Sequence, residues 1–252
     1  MRRLIALAIL CLALPACGDS HDLAAPSPTP KGRTSTSPEV SVSPSRSSAT
    51  PTQSPAGGPP PGPARCTLVL GFSVTANWYL DGAFESQPGI DDARWELIWA
   101  SGYDVARFAD PTAPPYSQAP ISPCAVEPDR VLYQVAALRW DAPDAVAAAL
   151  EQTIENIRAA WPSVEVIELI PIVGGPGGTA CGDPDRPDKG VVASHMNPPV
   201  VEAIAGVADG TDVRAGPDLL LQACAQYRDG PGHLTPDGSA FIASTLADHY
   251  GR

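Results

Sequence analysis

From residue 67 onward the chain alternates short apolar runs with stretches in which apolar residues recur every three or four positions, and this alternation restricts the fold more than any other feature. Thr67-Leu68-Val69-Leu70 reads as a strand, followed by Gly71-Phe72-Ser73 and a helical stretch from Val74 to Phe84. Residues 95–100 predict a second strand ending at Ser101-Gly102, and residues 131–138 a third. Between Ala142 and Ala160, the residues Val146, Leu150, Ile154 and Ile157 fall on one helix face, and Trp161-Pro162 stops the pattern. Residues 164–173 predict a fourth strand, closed by Gly174-Gly175-Pro176-Gly177-Gly178. A helix over 199–207, a short fifth strand over 212–215 and a last helix over 236–250 complete the series. Thr235 is placed to cap that last helix, with Pro236 at its first position. Strands alternating with helices predict an α/β, three-layer α/β/α sandwich around a mainly parallel five-stranded sheet. The functional site of such a sheet lies at the C-terminal ends of its strands.

The chain of 252 residues does not all belong to that domain. Arg2 and Arg3 precede the apolar stretch Leu4–Leu14, and Leu14-Pro15-Ala16-Cys17 follows, which is the signal-peptide plan of charge, apolar core and small residues. The last four residues resemble the bacterial lipobox. The resemblance implies cleavage before Cys17, lipidation of Cys17 and anchoring to the cell membrane on its extracytoplasmic side. Two acyl chains make such an anchor stable where one is marginal. Residues 18–64 are rich in Pro, Ser, Thr, Ala and Gly and nearly devoid of large apolar residues, so burial cannot offset their ordering entropy. They read as a tether, which at about 3.1 Å per residue reaches on the order of 100 Å. Residues 65–252 remain as one domain, long enough for a real core. The formal net charge is −12, and Lys31, Arg33 and Arg46 lie in the tether, so the acidity belongs to the domain. Phosphates are repelled by such a surface, and no nucleic-acid partner is expected. After residue 17 no apolar run approaches the roughly 20 residues that span a bilayer. A monomer without cofactor is expected.

Cys11 leaves with the signal segment and Cys17 is the lipid acceptor, so Cys66, Cys124, Cys181 and Cys224 remain. Four cysteines in an exported domain predict two disulfides, with three connectivities open. If the first and third strands are neighbours, as in a sheet of order 2-1-3-4-5, the pairs are Cys66–Cys124 and Cys181–Cys224. No C-x-x-C pair and no histidine at ligand spacing accompany them, so no metal site is predicted.

Ser73 occupies the turn between the first strand and the first helix, at the sheet's C-terminal edge and beside the positive end of a helix, where a nucleophile is well placed. A serine hydroxyl needs a base. His21 lies in the tether, His249 at the outward end of the last helix, and His195 in a loop, where it reads as structural. His233 lies in the segment Asp229–Gly238 that enters the last helix, with Asp229 four residues earlier and placed to orient its ring. The Gly174–Gly178 run lacks the Lys and Ser/Thr of a phosphate loop. Trp78, Tyr79, Trp95, Trp99 and Trp140 read as core, with some near the strand ends placed to line a sugar or acyl pocket.

Leu68-Val69-Leu70-Gly71-Phe72-Ser73 and the block Asp229–Gly238 together resemble the SGNH (GDSL-type) hydrolases, α/β esterases and lipases with a flavodoxin-like sheet. The resemblance covers nearly the whole domain. It implies catalysis by Ser73, His233 and Asp229, and oxyanion contacts from the amides of Ser73 and Gly102. The departures are specific. Phe72 stands where the family has Asp, and one extra residue separates Asp229 from His233. Ala136-Ala137-Leu138-Arg139-Trp140 offers no Asn where the family's third block supplies an oxyanion donor. Loss of one such donor costs roughly two to three orders of magnitude in rate. Two functional classes follow. One is a lipid-anchored serine esterase acting on small esters or acylated envelope glycans. The other is an inactive SGNH-fold lipoprotein that binds an envelope glycan or protein.

Overall fold

A computed structural model describes residues 64–122, 126–137, 142–178, 181, 198–228 and 232–251. The signal segment, the lipobox with Cys17, the tether up to residue 63, Cys124, Trp140, His195 and Asp229 lie outside the described residues.

Five parallel strands form one sheet in the order β2-β1-β3-β4-β5, with β1 Thr67–Gly71, β2 Trp95–Trp99, β3 Arg130–Val135, β4 Val166–Pro171 and β5 Val213–Ala215. This is the flavodoxin-like order that the SGNH resemblance implies. β1 and β3 are buried on both faces, which is why their sequences are mostly apolar rather than alternating. Residues of opposite parity feed two cores. Leu68, Leu70, Val131, Tyr133 and Leu169 meet α2 (Val105–Phe108), α3 (Pro143–Ala160) and α4 (Pro198–Val207). Val69, Leu132 and Ile170 meet α1 (Ser73–Ala76), its continuation as a π-helical turn over Asn77–Asp81, and α5 (Pro236–Tyr250). The α3 stripe of Val146, Leu150, Ile154 and Ile157 is buried as its spacing predicts. At about 1.5–3 kcal/mol per side chain, those four alone contribute several kcal/mol.

The boundaries differ from the sequence reading where chain leaves the ladder while remaining apolar. β4 ends at Pro171, yet Ile172 and Val173 stay buried, because Gly174 turns away to bridge Leu220. α2 was not predicted from periodicity. It is a single turn capped by Asp104, whose carboxylate accepts from the Arg107 amide at 3.2 Å. On the edge strand β2, buried Glu96 holds a loop by accepting from Ile121 N, Ser122 N and Ser122 Oγ at 2.7, 2.7 and 2.5 Å.

Two expectations are corrected. His249 does not face outward; it is partly buried, with Nε2 3.9 Å from Glu168 Oε1, because the last turn of α5 folds onto the sheet. There Tyr250 donates to Glu168 Oε1 at 2.8 Å, and Arg130 lies over the Trp95 and Tyr250 rings. Trp78, Tyr79 and Trp95 are core, but Trp99 is 39% exposed, since it ends the edge strand at the sheet's open rim.

Among the described residues no helix is long and apolar enough to cross a membrane, and no three His, Cys, Asp or Glu side chains are grouped to hold a metal ion.

Candidate functional site

The site begins with a close approach at the end of β1. A Cβ on Gly71 would lie 2.0 Å from Thr75 Oγ1 and 2.7 Å from Thr75 Cβ, so only glycine leaves room for the Thr75 side chain to fold back over the strand. Thr75 uses that room to accept from the Phe72 amide at 3.0 Å. This is half of a capping box: the third helical residue serves the amide preceding the helix, while Phe72 has no side-chain oxygen to return the bond. Ser73 becomes the first residue of α1 at the C-terminal edge of the central strands, partly exposed, on a helix with no acidic side chain in its first turn. The positive helix end is therefore uncompensated at Ser73.

His233 is delivered by a short hairpin. Tyr227 bridges Leu234 antiparallel, Arg228 N donates to His233 O at 2.7 Å, and Thr235 N donates to Gln226 O at 2.9 Å. Tyr227 also donates its hydroxyl to Val173 O at 2.7 Å, fixing the hairpin to the chain beyond β4. Burial pushes the Tyr227 phenol well above its ordinary value, so it remains a donor. Thr235 caps α5 as predicted, accepting from Gly238 N at 3.2 Å. Behind the hairpin, Cys224 is bonded to Cys181 with Cα atoms 5.3 Å apart. Cys66 is also disulfide-bonded, but its predicted partner Cys124 lies outside the described residues.

These two constructions meet. His233 Nε2 lies 2.9 Å from Ser73 Oγ, across 160 residues of sequence. With the ring protonated on Nδ1, the serine hydroxyl donates to Nε2, the arrangement from which a base removes a proton. A second rung runs parallel to the first. Asn77, one turn after Ser73, accepts from the buried Leu234 amide at 3.2 Å and donates to Asp81 at 2.8 Å. Sequence reading missed Asn77; its only signal was a polar residue one turn from Ser73.

Gly102 lies three residues beyond β2 with φ +68°, a left-handed conformation suited to glycine. It stands on the rim next to Ser73's strand, since Gly71 pairs with Trp99 and accepts from Ala100 N at 3.1 Å. Leu138-Arg139-Trp140, where the third-block donor would fall, and Asp229 lie outside the described residues.

No protein-family model matches this chain, and no curated protein matches it. Among solved structures it is similar to a candidate SGNH hydrolase from Slackia heliotrinireducens, with TM-score 0.46 and 19% identity over 74% of this chain and 98% of that one. It is also similar to a carbohydrate esterase family 3 structure from Talaromyces cellulolyticus, with TM-score 0.44 and 13% identity over 73% of this chain and 95% of that one.

Proposed function

We propose that the chain is a lipid-anchored serine esterase on the extracytoplasmic face of the cell membrane, acting on small esters or on acylated envelope glycans. The single observation that carries the reading is the 2.9 Å approach of His233 Nε2 to Ser73 Oγ on the rim of the sheet. In this reading Ser73 Oγ attacks the ester carbonyl carbon while His233 takes the hydroxyl proton. The tetrahedral intermediate collapses, the C–O bond to the alcohol breaks, and His233 returns the proton to the leaving oxygen. Water, deprotonated by the same histidine, then releases the acid and restores Ser73. Asp229 holds the imidazole in its tautomer, and the Ser73 and Gly102 amides receive the oxyanion. With no third-block Asn in the sequence, the rate is low beside that of relatives that have it.

The test is hydrolysis of short-chain aryl esters and acetylated sugars by the wild type, Ser73→Ala and His233→Ala. Each substitution is expected to abolish turnover above background while leaving the melting temperature near wild type. Equal slow hydrolysis by all three would overturn the enzyme reading in favour of an inactive glycan- or protein-binding lipoprotein. Anchoring is tested separately: Cys17→Ser is expected to move the protein from the membrane to the soluble fraction. Unchanged partition on detergent extraction would refute it.

A further inference from the structure

Beneath the nucleophile turn lies one amide that neither the family resemblance nor the proposed chemistry uses. Gln134, in β3, is fully buried and sits on the face that packs against α1 and α5. Its Oε1 accepts twice, from Thr75 Oγ1 at 2.7 Å and from Trp78 Nε1 at 3.1 Å, and its Nε2 donates to Pro171 O at 3.4 Å. The orientation of the amide is not arbitrary. An indole N–H can only donate, so oxygen must face Trp78 and nitrogen must face the carbonyl. With its proton committed to Gln134, the Thr75 hydroxyl turns a lone pair to the Phe72 amide, which it meets at 3.0 Å.

The other end of the amide reaches the base. Pro171 closes β4, and two residues on, Val173 O takes the Tyr227 hydroxyl that pins the His233 hairpin. Gln134 is thus bonded both to the turn that carries Ser73 and to Pro171, two residues before the carbonyl that anchors the His233 hairpin. We propose that Gln134 is a positioning residue that sets the Ser73–His233 separation, acting through Thr75. The inference rests on the serine-hydrolase reading above.

The decisive comparison is between substitutions that keep volume and those that keep the hydroxyl. Thr75→Val preserves shape and removes both hydrogen bonds; Thr75→Ser removes a methyl and preserves both. Gln134→Met preserves length and leaves Thr75 and Trp78 without an acceptor. Kinetics on an aryl acetate, and the rate at which a fluorophosphonate labels Ser73, are measured on folded protein. Thr75→Val and Gln134→Met are expected to lower kcat and labelling in parallel by about 10- to 100-fold with KM within about twofold, while Thr75→Ser stays within about threefold of wild type. A packing role predicts the reverse order, with valine tolerated and serine not. If the valine and methionine variants turn over and label like wild type, the positioning role is overturned and the hydrolase reading stands. If wild type itself neither labels nor turns over, both fall. Should Gln134→Met not fold, the Thr75 pair decides alone.

Discussion

Replacing Asn77 by alanine separates the scaffold of the site from its chemistry. The substitution deletes the acceptor of the buried Leu234 amide and the bond to Asp81, while Ser73 and His233 keep their own atoms. A buried amide left without a partner costs about 1–3 kcal/mol. The lost contact to exposed Asp81 adds little. The total is about 2 kcal/mol, which for a domain of this size lowers Tm by roughly 4–8 °C. Leu234 adjoins His233, so freeing its amide also loosens the base, and a displacement on the order of 1 Å costs up to about 100-fold in rate. Asn77→Asp divides the two effects. It keeps an acceptor for Leu234, so turnover stays within about threefold of wild type, but it sets a carboxylate against Asp81. Its Tm deficit therefore exceeds what loss of the Asp81 hydrogen bond alone would give, because two carboxylates now face one another. Differential scanning calorimetry and ester kinetics measure all of this. An alanine variant with wild-type Tm and wild-type turnover would refute the argument that the second rung holds the first.

Two further outcomes are expected. Replacing Cys181 and Cys224 together by serine opens a bridge spanning 43 residues, which loop entropy values at about 4 kcal/mol, and urea denaturation should show a loss approaching that figure; an unchanged midpoint would contradict it. Burial holds the Glu168 carboxyl above the usual carboxylate range, although the Tyr250 hydroxyl and Arg130 act against it. A carboxyl raised in the folded state contributes stability that is full at acid pH and is lost as pH rises through its folded value. Glu168→Gln should remove that loss, so its unfolding free energy should gain on wild type between pH about 4 and about 8; parallel pH profiles would count against it.

What the sequence disclosed follows from how local each signal is. The α3 stripe is legible because four apolar residues repeat on one helix turn after another, and all four are buried. The strand–turn–helix at Gly71–Ser73 is legible for the same reason. Strand ends are not, because the apolar run 172–173 serves the core after its ladder has ended. α2 escaped because a single turn has no period, and its one marker is the Asp104 cap. His249 was misplaced because burial of a helix end depends on what the sheet presents to it, here Glu168 on β4. Ser73 and His233 could be named in advance, but Gln134 and Asn77 could not, since their partners lie in other elements. A lone amide inside the apolar run Val131–Val135 was the available clue to Gln134.

The 160 residues between Ser73 and His233 have a consequence for the chain in time. Synthesis runs from the N-terminus, so β1 and the serine turn emerge long before the hairpin that carries the histidine. Until the last helix docks, the serine is an ordinary alcohol with no base at hand. On the serine-esterase reading, a chain truncated or clipped before residue 233 is silent for the same reason. In that reading reactivity arrives with completion of the fold, so the geometry itself keeps unfinished copies inert.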